Sequence, residues 1–179
     1  MPDPTSIAMS VDQAKEENST NFLNDKKDVY QSTRKLSAFV GKVDEFDAVY
    51  VVGGHGPMFD LAFDADSQTI LADFYEKGKI VAADCAGVGS LVNVKLSTGD
   101  NLVKDKNVTG LSRSEVEALG FVDVVPFILE EKLNAESGGR FSKAAELWAP
   151  HLARDGRLIT GQNPASAALV GKAILDALA

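Results

Sequence analysis

Two short apolar runs, each cut off by small residues, constrain this chain more than any other feature. Residues 47–52 read Asp-Ala-Val-Tyr-Val-Val and stop at Gly53-Gly54. Residues 80–83 read Ile-Val-Ala-Ala and stop at Asp84-Cys85. Their shortness and β-branched content predict buried strands. Between them, residues 67–77 put Ile70, Leu71 and Phe74 on one side of an amphipathic helix closed by Gly78. A strand–helix–strand order predicts a parallel α/β sheet. Both corners then lie at carboxyl ends of strands, where open α/β sheets bind ligands.

Cys85 is the only cysteine, and it sits where the second strand ends. Small residues follow, then Leu91-Val92, as a helix would begin. A nucleophile on such an elbow is exposed at the top of a sheet, and the positive end of a following helix favours thiolate. A lone cysteine is more often a small buried hydrophobe than a nucleophile. The elbow position and the second glycine corner move the reading toward a nucleophile. At that second corner, Gly53-Gly54-His55-Gly56-Pro57 predicts a tight loop whose backbone N–H groups can point at a ligand. The plain alternative is a strand-exit turn, with His55 a hydrogen-bonded loop residue.

Composition removes several function classes. The chain has 179 residues, 45% of them apolar, which suits one domain over residues 1–179 with a substantial core. Lys plus Arg is 18 against 26 for Asp plus Glu, a formal charge of −8 with no basic block. That argues against a nucleic-acid partner and against an anionic membrane surface. No apolar run approaches the roughly 18 residues needed to span a bilayer. No secretory hydrophobic stretch follows Met1, and a single cysteine forms no internal disulfide, so the cytoplasm is the expected compartment. His55, His151 and Cys85 have no metal-ligand spacing, so no metal is expected.

Elsewhere the chain reads as short elements. Short helices are expected over 11–17 and near 25–32, the latter on a solvated, charge-rich stretch. Residues 96–107 are turn-rich, and 107–109 form a short strand. Ser112 caps a helix running to Gly120, in which Glu115 and Glu117 read as solvated. Pro126 opens a helix over 127–134. Residues 157–160 form a last strand, and Asn163-Pro164 caps a final helix reaching Leu178.

The stretch 46–60, FDAVYVVGGHGPMFD, closely resembles the ThiJ/PfpI superfamily, in particular its heat-shock chaperone and glutathione-independent glyoxalase branch. Residues 3–6 (DPTS), 79–85 (KIVAADC), 125–130 (VPFILE) and 155–166 (DGRLITGQNPAS) support the resemblance in order along the chain. It implies a flavodoxin-like α/β sandwich with a mostly parallel sheet, commonly a homodimer. It also implies a cysteine nucleophile at Cys85, no metal or organic cofactor, and an oxyanion site made by the backbone of Gly53, Gly54 and Ala86.

Three departures bear on chemistry. The family usually has histidine after the cysteine, and here Ala86 stands there. The acidic partner of that histidine falls near Val116, flanked by Glu115 and Glu117. The family also carries a segment before its Asp-Pro-Thr-Ser motif that holds a first central strand. The chain is therefore expected to be N-terminally incomplete relative to the family, its missing strand supplied by a separate N-terminal polypeptide segment or the gap closed otherwise. Asp84 and His55 are the candidates to replace the lost proton shuttle. Asp84, a strand residue beside the cysteine, is expected on the opposite face, and if ionised nearby it would oppose thiolate formation.

The functional expectation is a diverged, cofactor-independent cysteine enzyme of glyoxalase, dehydratase or hydratase type acting on a small-molecule electrophile such as a carbonyl compound. The alternative is a non-enzymatic stress chaperone or redox-sensing protein on the same fold.

Overall fold

The computed structural model describes residues 17–179, with side chains from residue 20 onward. The described residues fall into two compact units, the first ending at Ala38 and the second running Phe39–Ala179. In the first, α1 (Glu17–Asp25) and α2 (Lys27–Gln31) are joined at Lys26. Tyr30 clasps the pair: its hydroxyl donates to Leu23 O at 2.7 Å and its ring lies 6.0 Å from that of Phe22. The expected helix near 25–32 is thus α2. The one expected over 11–17 lies outside the described residues apart from Glu17, where α1 starts.

The second unit is built on a four-stranded sheet ordered β1-β2-β4-β3, from β1 (Ala48–Val51), β2 (Ile80–Asp84), β3 (Leu152–Asp155) and β4 (Leu158–Gly161). β1, β2 and β4 are parallel, with Ala48 opposite Ile80 and Val81 opposite Leu158. β3 returns antiparallel through the Gly156-Arg157 turn, where Gly156 takes φ +61°. The crossover from β1 to β2 passes through α3 (Gly56–Phe59) and α4 (Ala65–Glu76). Asp64 caps α4 by accepting from Ser67 N at 2.8 Å, and Lys79 N donates back to Phe74 O at 2.9 Å beyond Gly78. After β2 come α5 (Arg113–Ala118), α6 (Leu129–Glu136) and, following β4, α7 (Ala167–Leu178).

Strand alternation sorts the core into two layers. Val81, Ala83 and Leu158 face a large cluster with Ile70, Leu71 and Phe74 of α4, Leu91, and Leu129 and Leu133 of α6. Ile80, Ala82 and Ile159 face Val170 and Ala173 of α7. β2 is buried throughout, which is why it reads as an unbroken apolar run rather than an alternating one.

Among the described residues β1 pairs with β2 alone. Ile80 N donates to Asp47 O, so odd-numbered residues of β1 aim their backbone groups at β2. By alternation Ala48 and Tyr50 aim theirs at the outer edge. Tyr50 and Val52, on the α7 side of β1, are 38% and 63% exposed.

Two elements differ from the sequence expectation. No α-helix follows the cysteine: residues Cys85–Leu91 form a 3₁₀ coil instead. Two glycines in that stretch weaken an α-helix, and Gly87 must pass so close under β1 that its path is fixed by that contact. The expected strand at 107–109 contributes a single bridge, Val108 to Phe141.

Candidate active site

Cys85 takes φ +56°, the left-handed region that a β-carbon disfavours. Such a conformation costs about 1–3 kcal/mol and persists only where packing dictates it. Three glycines supply the packing. A β-carbon on Gly87 would stand 2.5 Å from Val52 O and 2.8 Å from Val51 O. One on Gly89 would stand 2.8 Å from Met58 Cγ, so α3 sits directly on the coil. One on Gly53 would stand 3.0 Å from Cys85 Cβ and 3.8 Å from Sγ. Leu111 N donates to Cys85 O at 3.4 Å and ties the corner to the loop before α5.

The backbone N–H groups of Ala86 and Gly54 both address the Cys85 sulfur. The two corners singled out in the sequence therefore converge on one atom. The thiol itself is only 8% exposed. Burial pushes its pKa up to about 11, the negative charges of Asp84 and Glu115 push the same way, and the two amides pull against them. This reverses the expectation of a thiolate favoured by a helix: there is no α-helix at the elbow to supply the field, and desolvation of the charged form dominates.

Asp84 lies on the other face of the sheet, as strand alternation requires. Its Oδ1 is buried without a hydrogen-bond partner, and a β-carbon on Gly161 would collide with it and with Val170 Cγ2. Burial raises its carboxyl pKa to about 6, against the pull of a hydrogen bond from Cys85 N. Tyr50 shares this face, its hydroxyl pushed up to about 12 by burial and by the charges of Asp84 and Cys85.

His55 follows Gly54 directly, at the start of α3. Its Nε2 is buried without a partner, its ring packs edge-on against Phe121 at 4.9 Å, and burial lowers its pKa. It is therefore neutral near pH 7. His151 serves a different region, pairing through Nε2 with Ser142 Oγ at 2.9 Å.

Val116 is fully buried in the large core cluster. Glu117 is exposed and pairs with Arg113 at 2.9 Å. Glu115, expected to be solvated, is instead fully buried. Its Oε2 accepts from Ser112 N and Oγ at 2.8 and 2.7 Å. Its Oε1 accepts from Gln162 Nε2 at 3.0 Å and Asn163 Nδ2 at 2.8 Å. The carboxylate can be buried because four donors satisfy it. It binds the start of α5 to the segment leaving β4. The signal was present in Ser112-Arg-Ser-Glu115, a capping-box pattern that turns the glutamate back toward the helix start. Among the described residues, no group of three or more His, Cys, Asp or Glu is placed to hold a metal ion.

Fold and site together define a mostly parallel α/β protein with a buried cysteine on a strand-exit elbow, faced by a glycine corner. The DJ-1/PfpI family model matches residues 24–177, and the chain belongs to that family. It is 30% identical over 172 residues to the probable glutathione-independent glyoxalase hsp3104 of Schizosaccharomyces pombe, covering 93% of this chain and 78% of that one. The solved structure of the 24-kDa rapid encystment protein of Francisella tularensis superposes with a TM-score of 0.84 at 37% identity, covering 99% of this chain and 76% of that one. Glyoxalase III of Candida albicans superposes with a TM-score of 0.75 at 25% identity, covering 95% and 69%. Some relatives are matched over only about half of their length, 54% in one case. Among the described residues no helix is long and apolar enough to cross a membrane.

Proposed function

We propose that this protein is a cofactor-independent glyoxalase-type enzyme in which Cys85 attacks a small α-oxoaldehyde. The observation that carries the reading is a cysteine held at φ +56° with the glycine corner packed against it, a β-carbon on Gly53 falling 3.0 Å from its Cβ and 3.8 Å from its Sγ. The naming of its relatives as glutathione-independent glyoxalases supports it.

The sulfur adds to the aldehyde carbon, forming a C–S bond, and the carbonyl electron pair moves onto oxygen. Amides already directed at the sulfur are placed to hold that oxyanion, with Gly53 giving the substrate room to approach. The oxyanion is protonated, giving a hemithioacetal. A base then removes the proton from the former aldehyde carbon, and the resulting enediol is protonated at the neighbouring carbon. One carbon is oxidised and the other reduced, so no external electron acceptor is needed. The product is a thioester of a 2-hydroxy acid, and water cleaves it to free the acid and the thiol.

His55 carries the proton in this scheme. It is neutral near pH 7, one residue from the Gly54 amide, and its Nε2 has no other partner. Asp84 takes no proton from substrate, because the sheet separates it from the sulfur. A thiol with a pKa of about 11 reacts by losing its proton as it attacks, so turnover rises with pH through the alkaline range.

The test is conversion of methylglyoxal to lactate by the protein and by Cys85→Ala, with intact mass checked on the same samples. Turnover that disappears in Cys85→Ala is expected. No turnover in either protein, together with suppression of client aggregation, would support the non-enzymatic chaperone instead.

A further inference from the structure

We infer that the substrate is an uncharged α-oxoaldehyde carrying an aryl or comparably bulky apolar group, selected by an aromatic collar beside the cysteine corner. The inference rests on the glyoxalase-type reading above and names the substrate class for that site.

The collar has two sides. One is α3 and the turn after it, which carry His55, Phe59 and Phe63. The other is the segment between α5 and α6, which carries Phe121, Val124 and Phe127. They meet at two ring contacts: His55 with Phe121 at 4.9 Å, and Phe63 with Phe127 at 6.2 Å, both edge-on. Phe59, Phe63, Phe121 and Val124 are nevertheless exposed, Phe63 at 57% and Phe121 at 37%. Aromatic surface of this kind, left open rather than buried in the core, marks a recognition surface.

The collar adjoins the reacting centre. His55 is the next residue after Gly54, whose amide is on the sulfur. Met58, in the same short helix, is fully buried against Gly89 of the coil that begins at Cys85. Phe121 N donates to the carbonyl of the buried Val116 at 3.1 Å, which anchors the other side to the core.

Charge narrows the ligand further. Neither residues 53–68 nor residues 114–129 contain a lysine or arginine, and both contain carboxylates, among them Asp60 and Asp123. A phosphorylated or carboxylated aldehyde would meet like charge from these two segments, neither of which offers a cation of its own. A neutral apolar substituent suits the surface on both counts.

The experiment compares kcat/KM for phenylglyoxal and methylglyoxal in the protein, in Phe121→Ala and Phe63→Ala, and in Leu175→Ala on α7 as a control. Because the two aldehydes differ in intrinsic reactivity, the quantity read is the change in their ratio on mutation. Loss of a ring contact is expected to lower the phenylglyoxal-to-methylglyoxal ratio about tenfold in Phe121→Ala and about threefold in Phe63→Ala, mostly through KM. Leu175→Ala leaves it unchanged. Methylglyoxal turnover with a ratio unmoved by both phenylalanine variants overturns the collar and leaves the glyoxalase reading standing. If neither aldehyde is turned over, the glyoxalase reading fails, and a second measurement decides the collar by itself. Acetophenone, but not acetone, should slow alkylation of Cys85 by iodoacetamide, and less so in Phe121→Ala. Equal protection by the two ketones, or none, overturns it.

Discussion

Asp84 and Cys85 are consecutive residues at the end of one strand, yet they serve opposite faces of the sheet under opposite conditions. Both are almost fully buried, at 3% and 8% exposure. The cysteine face is closed by α3 to α6 and fitted at backbone contact distance by Gly53, Gly87 and Gly89. There the backbone amides of Ala86 and Gly54 favour the charged form of the thiol against its burial. The other face is covered by α7 over β2 and β4, while Tyr50 of β1 and Val52 just after it stand open, and one oxygen of Asp84 has no hydrogen-bond partner. Burial alone therefore does not make a reactive centre. What sets the cysteine side apart is a backbone that packs without side chains.

The largest effect should come from filling the closed face. Gly87→Ala places a methyl against two backbone carbonyls that cannot rotate away, and it should cost about 3–4 kcal/mol or prevent folding. Gly161→Ala, on the other face, meets the side chains of Asp84 and Val170, which can shift, and should cost about half as much. Urea denaturation of the two variants measures the difference. Equal losses would mean that the faces are equally rigid.

Glu115→Ala comes next. It strips the acceptor from Ser112, Gln162 and Asn163 together, for a loss of about 2–3 kcal/mol. It also removes a negative charge acting on the thiol, so the pH at which Cys85 becomes alkylatable should fall. A loss of stability with an unchanged alkylation profile would confine Glu115 to tying α5 to the segment after β4.

Asp84→Asn differs from these in sign. The folded carboxyl has a pKa of about 6, raised above the unfolded value, so folding favours its protonated form. That contribution is fully present below about pH 4 and is lost as pH rises through 6. The variant should therefore be more stable than the parent above pH 6, by up to about 3 kcal/mol, and no better below pH 4. Thermal melts at pH 4 and pH 8 separate the cases. Loss of turnover in this variant with stability intact would bring Asp84 into the chemistry and break the division between the faces.

The parallel strands were legible because their composition is extreme: β2 is apolar from Ile80 to Ala83, and Gly53-Gly54 follow closely on β1. The meeting of the two corners followed from topology, since adjacent parallel strands must end together. β3 escaped notice because Leu152-Ala-Arg-Asp155 has no β-branched residue and finds its place only by pairing with β4. The coil after Cys85 was misread as a helix because hydrophobic spacing does not register how near Gly87 lies to β1. The raised thiol pKa was hidden for a related reason: desolvation depends on what surrounds an atom in three dimensions. Glu115 was readable from its spacing to Ser112 but resembled an ordinary surface glutamate. The aromatic collar was present as scattered phenylalanines from two distant segments, and only the fold shows that they touch.

The outer rim of β1 also bears on how the protein keeps company with other chains. Among the described residues the outward backbone groups at Ala48 and Tyr50 have no strand partner, and an open strand edge is a template for an extended peptide regardless of side chains. At four residues the template is short, so one visitor gains few hydrogen bonds. Of the carboxylates just before it, Asp44 and Asp47 are paired with Lys77 and Lys79 at 2.7 and 3.5 Å. An extended visitor on this rim would therefore be held by backbone hydrogen bonds rather than sorted by charge.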